Sequence, residues 1–214
     1  MNRKLLLIVV LFLAFGAPER ASAQEKEFPA YNCAVTPPAG WSTMKDFKAP
    51  QGFATAFANA DRTGILILVV DDPRKSAGSM DERFVSEFER GIVDSGGGDR
   101  VSGRFIEIAG VKGYERFGQI VTNGKTVSSL TRAVIADRRV FSVSGILVDG
   151  DVSKDPALQS AVASFRFLHP PDTSVSAEPE PTASYRAGVL VGRILIVAII
   201  LAIVYKLVSS RRRK

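Results

Sequence analysis

The sequence predicts an α+β fold in which an antiparallel β-sheet is covered by helices, followed by one C-terminal transmembrane helix. Three observations predict it. Strand-like runs outnumber helix-like ones between Tyr31 and Leu168, the two amphipathic stretches in that region carry helix-capping residues, and Ala187 to Val208 is one apolar run with a basic end.

The strands come first. Tyr31 to Val35 reads as a strand closed by Pro37-Pro38-Ala39-Gly40, after which stands Trp41, the one tryptophan. Phe53 to Ala58 and Gly64 to Val70 read as two more, separated by the turn-forming Asn59-Ala60-Asp61-Arg62. The run Ile65 to Val70 is apolar on both faces, which places it inside the sheet with cover on both sides. A meander follows, with strands near Arg100 to Ile108, Val111 to Thr122, Lys125 to Ala136 and Val140 to Leu147. Asn123-Gly124 between two alternating runs is a strong hairpin signal, and Asp137-Arg138-Arg139 makes the next turn.

Two helices interrupt these strands. Ser79-Met80-Asp81-Glu82 has the spacing of a capping box, in which the serine hydroxyl and the glutamate satisfy free amides of the first turn. Phe84, Phe88 and Ile92 then recur at four-residue spacing beside Val85, an apolar stripe aimed at the sheet. Asp94-Ser95-Gly96-Gly97-Gly98 ends that helix; a phosphate-binding loop would need a following Lys-Ser/Thr and a helix, and Asp99-Arg100-Val101 stands there instead. Asp155-Pro156 caps the second helix, with proline where its missing amide is not needed. Leu158, Ala161, Val162 and Phe165 form its buried side, and Ser164 to Leu168 closes the domain.

The ends of the chain address it to a membrane. Met1 to Lys4 is basic, Leu5 to Ala17 apolar, and Ala21-Ser22-Ala23 a small-x-small cleavage site, so residues 1–23 read as a signal peptide with Gln24 as the mature start. No cysteine follows the apolar run, which argues against a lipoprotein. Residues 169–186, rich in Pro, Ser and Glu, are too polar to pack and read as an extended stalk of up to roughly 45 Å. The run 187–208 is about 33 Å long as a helix, enough to span the hydrocarbon core. The tail 209–214, ending Arg211-Arg212-Arg213-Lys214, stays in the cytoplasm and leaves the domain outside. The expected location is therefore the inner membrane, single-pass, with the domain in the periplasm. Arg193 sits near the outer end of the span, where its side chain can snorkel to the interface. Gly188 and Gly192 form a small-xxx-small pair that suits a partner helix.

Composition narrows the function classes. The chain has 28 Lys and Arg against 22 Asp and Glu, but Gln24 to Tyr185 holds 18 against 21, a net charge of −3. The basic excess thus belongs to the ends, and the domain lacks the footprint of a nucleic-acid binder. With one cysteine, Cys33, no internal disulfide is available, and its place on a strand face reads as a core thiol. His169 is the only histidine and lies at the start of the stalk, so no nucleophile has a histidine base beside it. Asp71-Asp72 and Asp149-Gly150-Asp151 with Asp155 are the nearest approaches to a metal cluster, and a turn and a helix cap account for the second. No catalytic, cofactor or metal residue is assigned. Trp41, set by a rigid proline turn, is the one candidate anchor, either plugging the core or standing at an interface.

The order strand, Pro-Pro-x-Gly-Trp, two strands, helix, four-strand meander, helix and terminal Ser-Phe-x-Phe resembles the PsbP/Mog-like family over nearly all of Tyr31 to Leu168. Pro38, Gly40, Trp41 and Ser164-Phe165 match its pattern as packing positions. The resemblance implies an α/β/α sandwich over residues 24–168. It also implies kinship with the photosystem subunit PsbP, the Ran-binding Mog protein of yeast and DcrB-related bacterial envelope proteins, mostly adaptors or assembly factors without a shared catalytic site. The expectation is a non-catalytic, membrane-tethered interaction or assembly module, itself monomeric, with no cofactor and an envelope protein as partner. The alternative is a small-ligand-binding domain or enzyme with a pocket between helix and sheet.

Overall fold

A computed structural model describes residues 23–45, 47, 53–71, 79–122, 125–174 and 183–211. In chain order the strands are β1 (Lys26–Phe28), β2 (Cys33–Val35), β3 (Ser42–Thr43), β4 (Phe53–Ala58), β5 (Gly64–Val70), β6 (Asp99–Ile108), β7 (Val111–Thr122), β8 (Lys125–Ala136), β9 (Arg139–Val148) and β10 (Arg166–Phe167). The helices are α1 (Glu82–Asp94), α2 (Pro156–Ala163) and α3 (Ala183–Arg211). Seven strands form an antiparallel sheet in the order β3-β4-β5-β9-β8-β7-β6, and β1-β2-β10 form a small second sheet.

β5 is the strand the sequence marks as apolar throughout, and every one of its residues is buried. Ile65, Ile67 and Val69 point to one side and join Phe84, Phe88 and Ile92 of α1; Leu66, Leu68 and Val70 point to the other and join Leu158 and Val162 of α2. β9 alternates likewise, with Val140, Ile146 and Val148 on the α1 side and Phe141 and Val143 on the α2 side. The result is an α/β/α arrangement around two cores. Each fully buried aliphatic side chain of this kind stabilises by about 1.5–3 kcal/mol. β7 and β8 pair up to Thr122 and Lys125, leaving a two-residue loop; Asn123 and Gly124 lie outside the described residues, as do Asp72 and residues 1–22.

Local geometry departs from the sequence expectations at three points. Tyr31 belongs not to a strand but to a 3-10 turn, Pro29–Tyr31, and the strand starts at Cys33 after Asn32 adopts a left-handed φ of 53°. Asparagine tolerates that conformation because its short side chain finds local partners; here its amide donates to Asp137 Oδ2 at 3.0 Å. The N-cap of α1 is Asp81 rather than Ser79. Its carboxylate accepts from the Phe84 amide at 2.8 Å, and the Ser79 hydroxyl donates to its second oxygen at 2.9 Å. Phe165 lies beyond the end of α2, capped by Ser164, yet it is buried in the same core.

The C-terminal region stays close to the domain over two stretches. His169 and Asp172, at the start of the predicted stalk, are tied down: the His169 amide donates to Asn32 Oδ1 at 2.8 Å, and the Asp172 amide to Asp137 Oδ1 at 2.7 Å. Residues 175–182 lie outside the description. α3 then lies on α1, with Ala187, Leu190, Val191, Ile194, Leu195 and Ile199 buried in the α1-side core. Its outer side carries Arg186 and Arg193, both exposed. Among the described residues no helix is long and apolar enough to cross a membrane; beyond Ile200 only the backbone of α3 is described.

The cap of α1 gives a direct test. The Phe84 amide and then the Ser79 hydroxyl hold the Asp81 carboxyl below its usual range. A depressed folded value means that the stabilisation is present above the unfolded value near 3.9 and is lost as pH falls through the lower folded one. Asp81→Ala is expected to lower unfolding stability by about 1 kcal/mol at pH 7, measured by urea denaturation, with the difference from the unmodified chain shrinking toward pH 3.

Candidate functional site

Trp41 sits after a turn in which its amide donates to the Pro38 carbonyl at 3.1 Å. The indole is half-buried and packs on the α2-side core. Its six-membered ring lies over Gly64 at the start of β5: a Cβ there would come within 2.8 Å of Cη2 and 2.9 Å of Cζ2. The absence of a side chain at Gly64 is therefore what lets the ring approach the start of the strand this closely.

A charged network occupies the other end of the sheet, where α1 crosses β6 and β7. Arg116 of β7 is completely buried. Its Nε donates to Glu89 Oε2 of α1 at 2.8 Å and its Nη2 to the Gly98 carbonyl at 2.6 Å, while Nη1 is buried without a partner. The Tyr114 hydroxyl donates to the other Glu89 oxygen at 2.7 Å and accepts from Arg100 at 3.5 Å. Burial pushes the Tyr114 phenol up. On the opposite face Glu115 binds Arg104 and Arg132, at 2.7 and 2.9 Å. Burial alone would raise its pKa, but the two guanidinium groups outweigh it and hold the carboxyl below its usual range. In the sequence Tyr114, Glu115 and Arg116 fall in a strand of the meander, and none of them is singled out. The signal available was alternation: Tyr114, Arg116, Gly118 and Ile120 share a face, which places an arginine in an inward register.

Among the described residues β6 ends the large sheet and pairs only with β7. Asp99 to Phe105 are seven successive exposed residues. Two of them are large and apolar, Val101 at 57% and Phe105 at 40% exposure. The Lys112 ammonium lies over the Phe105 ring at 4.4 Å, and the pairing slips between Arg100 and Ser102. Beside this edge a cleft of about 590 Å³ runs between α1 and β6, lined by Val85, Glu89, Val93, Arg100, Phe105 and Tyr114. An exposed strand edge with apolar side chains offers backbone donors and acceptors to an incoming strand, and the shifted register and flanking charges limit self-pairing. Sequence reasoning did not single out this edge, because which strand of a meander lies outermost is decided by the whole sheet.

Cys33 and His169, both weighed for chemistry, come near each other along the backbone, since Cys33 pairs with Phe167 of β10 and its neighbour Asn32 holds His169. Cys33 is buried at 0% exposure, and burial pushes its thiol up to about 12. The backbone of His169 is held at both its amide and its carbonyl by the Asn32 side chain. Among the described residues no group of three or more His, Cys, Asp or Glu is placed to hold a metal ion.

Substitutions at two positions separate packing from pairing. Trp41→Ala should lower stability by about 3 kcal/mol, the scale of emptying an aromatic site; an unchanged melting temperature would assign the ring to an interface. Glu89→Ala leaves the Arg116 charge buried without its partner, a loss of about 3–5 kcal/mol by denaturant titration, whereas Glu89→Gln keeps a hydrogen-bond acceptor and should lose less.

Comparison with known proteins places the architecture. No family model and no curated protein matches the sequence. Among solved structures, one from Bacteroides thetaiotaomicron matches at 14% identity with a TM-score of 0.46, over 68% of this chain; the chain spans 48% of that structure's length. The Ran-binding protein Mog1p of Saccharomyces cerevisiae matches at 12% identity with a TM-score of 0.46, over 72% of this chain and 97% of that one. Cyanobacterial PsbP of Synechocystis matches at 15% identity with a TM-score of 0.51, over 72% of this chain and 99% of that one. With its antiparallel sheet covered by helices on both faces and this likeness to cyanobacterial PsbP, the chain has the PsbP/Mog-like fold.

Proposed function

We propose that the protein is a non-catalytic interaction module held on the outer face of the inner membrane. A signal peptide over residues 1–23 directs export, and residues 187–208 form the single membrane span that retains it. The basic tail 209–214 fixes the orientation with the C-terminus in the cytoplasm. The partner is an envelope protein; nucleic acid and cofactors have no part in the reading.

The observation that carries the interaction reading is the β6 edge, unpaired among the described residues, with Val101 and Phe105 exposed beside the α1/β6 cleft. Large exposed apolar side chains on an unpaired edge are what a strand-adding partner uses, backbone pairing giving affinity and side-chain pockets giving specificity. A second reading, binding of a small ligand in the cleft, draws on the convergence of Arg100, Glu89 and Tyr114 there. Those groups already satisfy one another, which leaves less to offer a ligand and favours the first reading.

The test is in the native membrane. A photo-reactive residue at Val101 should give a discrete protein adduct that Phe105→Asp abolishes, while that exposed substitution changes stability by only about 0.5 kcal/mol. A folded, correctly inserted protein that gives no adduct from this edge would refute the interaction reading. Orientation is checked separately: an export-dependent reporter fused after Leu168 and a cytoplasmic one fused after Lys214 should both be active, and mass spectrometry should find the mature chain starting at Gln24.

A further inference from the structure

We propose that α3 is a displaceable cover: its residues up to Ile199 either lie on the domain or enter the bilayer, and the two states exclude each other. This rests on the membrane-anchor reading given above.

The exclusion follows from length. α3 runs from Ala183 to Arg211, and its buried contacts with the domain extend from Ala183 to Ile199. The turns beyond, from Ile200 to Arg211, reach about 18 Å at 1.5 Å per residue. The hydrocarbon core is about 30 Å thick. A docked α3 therefore has too little helix left to span, and spanning requires the docked turns to leave.

The docked state is specific. The helices cross at glycines on both sides. A Cβ on Gly91 of α1 would fall 2.3 Å from the Tyr185 carbonyl and 2.7 Å from the Val189 amide; one on Gly188 would fall 2.1 Å from the Phe88 carbonyl. A Cβ on Gly192 would fall 2.0 Å from Ser95 Oγ and 2.8 Å from the Ile92 carbonyl. Backbone thus rests on backbone, and the small-xxx-small pair meets a helix of its own chain. The charges fit too: Arg186 and Arg193 face outward while Leu190, Val191, Ile194 and Leu195 face inward. Arg193, an expense in a bilayer, is at ease in this state.

The docked state is also incompletely satisfied. On the face covered by α1 and α3, β9 carries Ser142, whose Oγ is buried without a partner. An apolar cover cannot complete it, and an unmet buried polar group weakens the arrangement that buries it. Outward-facing Val197 and Ile200, at 49% and 53% exposure, add apolar surface that a bilayer would remove from water. Lipid therefore competes with the domain for the same helix.

The experiment uses the full mature chain with Asp94→Cys and Tyr185→Cys, an exposed and a half-exposed position at the edge of the crossing whose side chains meet at 3.2 Å. The natural Cys33, buried and with its thiol pushed up to about 12, stays unreactive. Made without membranes, the chain should be bridged by a short bis-maleimide. Added phosphatidylethanolamine/phosphatidylglycerol vesicles should lower bridging in step with the fraction that floats and resists carbonate extraction, and chains bridged beforehand should not float. Undiminished bridging within the extraction-resistant fraction, or no bridging in either condition, would overturn the proposal. Unbridged chains that never float would instead refute the anchor reading, and the proposal with it. As a second variant, Gly91→Ala should abolish bridging without vesicles, because the added methyl meets α3 backbone, and leave flotation intact.

Discussion

The architecture hangs on the central strand pair. β5 is buried along its whole length and β9 along nearly all of it, with apolar side chains on both faces. A sheet whose middle is apolar on two sides must be covered twice. On one side the cover is α2 with the small sheet β1-β2-β10, joined through Cys33, Val35 and Phe165. On the other it is α1 and the first half of α3. Phe167 meets Phe141 and Phe165 edge to face at 5.3 and 5.2 Å, and Phe141 and Phe165 lie tilted at 5.8 Å, which ties the end of the domain to β9 and closes the first of these covers.

Away from the centre the sheet becomes polar, and there the structure trades apolar burial for charge. Arg116 replaces a hydrophobe in the layer beneath α1, and Glu89 is its counter-ion from the helix. Such a pair fixes the register of helix on sheet more sharply than apolar contact does, since a displaced arginine would be left with a bare buried charge. Glu115, with two arginines on the opposite face, pins β7 to both of its neighbours: Arg104 comes from β6 and Arg132 from β8. The outermost strand is thereby held in place while its far edge stays open.

The two unusual surfaces of the molecule lie on either side of α1. One side of the helix borders the cleft and the β6 edge; the other receives α3 through Gly91. A rearrangement of α3 thus acts on the helix that also lines the candidate interaction face. The link is physical, a shared helix, and its strength is set by how rigidly Glu89 and Arg116 hold α1 to the sheet.

Periodicity and punctuation, both local, determined much of this protein in advance. The apolar run Ile65 to Val70 announced a doubly covered strand, the residues around Asn123 a hairpin, and Asp155-Pro156 a helix start, because each depends on neighbours within a few residues. The aromatic stripe of α1 was legible for the same reason. Trp41 stood out in the sequence as a residue set by a proline turn, but its seat over Gly64 did not, since the two are brought together only by strand pairing. What tertiary structure alone decided were non-local matters. It made Asp81 the cap over Ser79, β6 the free edge, Arg116 a buried ion, and the glycines of α3 a fit for Gly91 of α1. In each, the outcome depends on which surfaces compete for the same apolar or charged partner, and that competition has no expression in the spacing of residues along the chain.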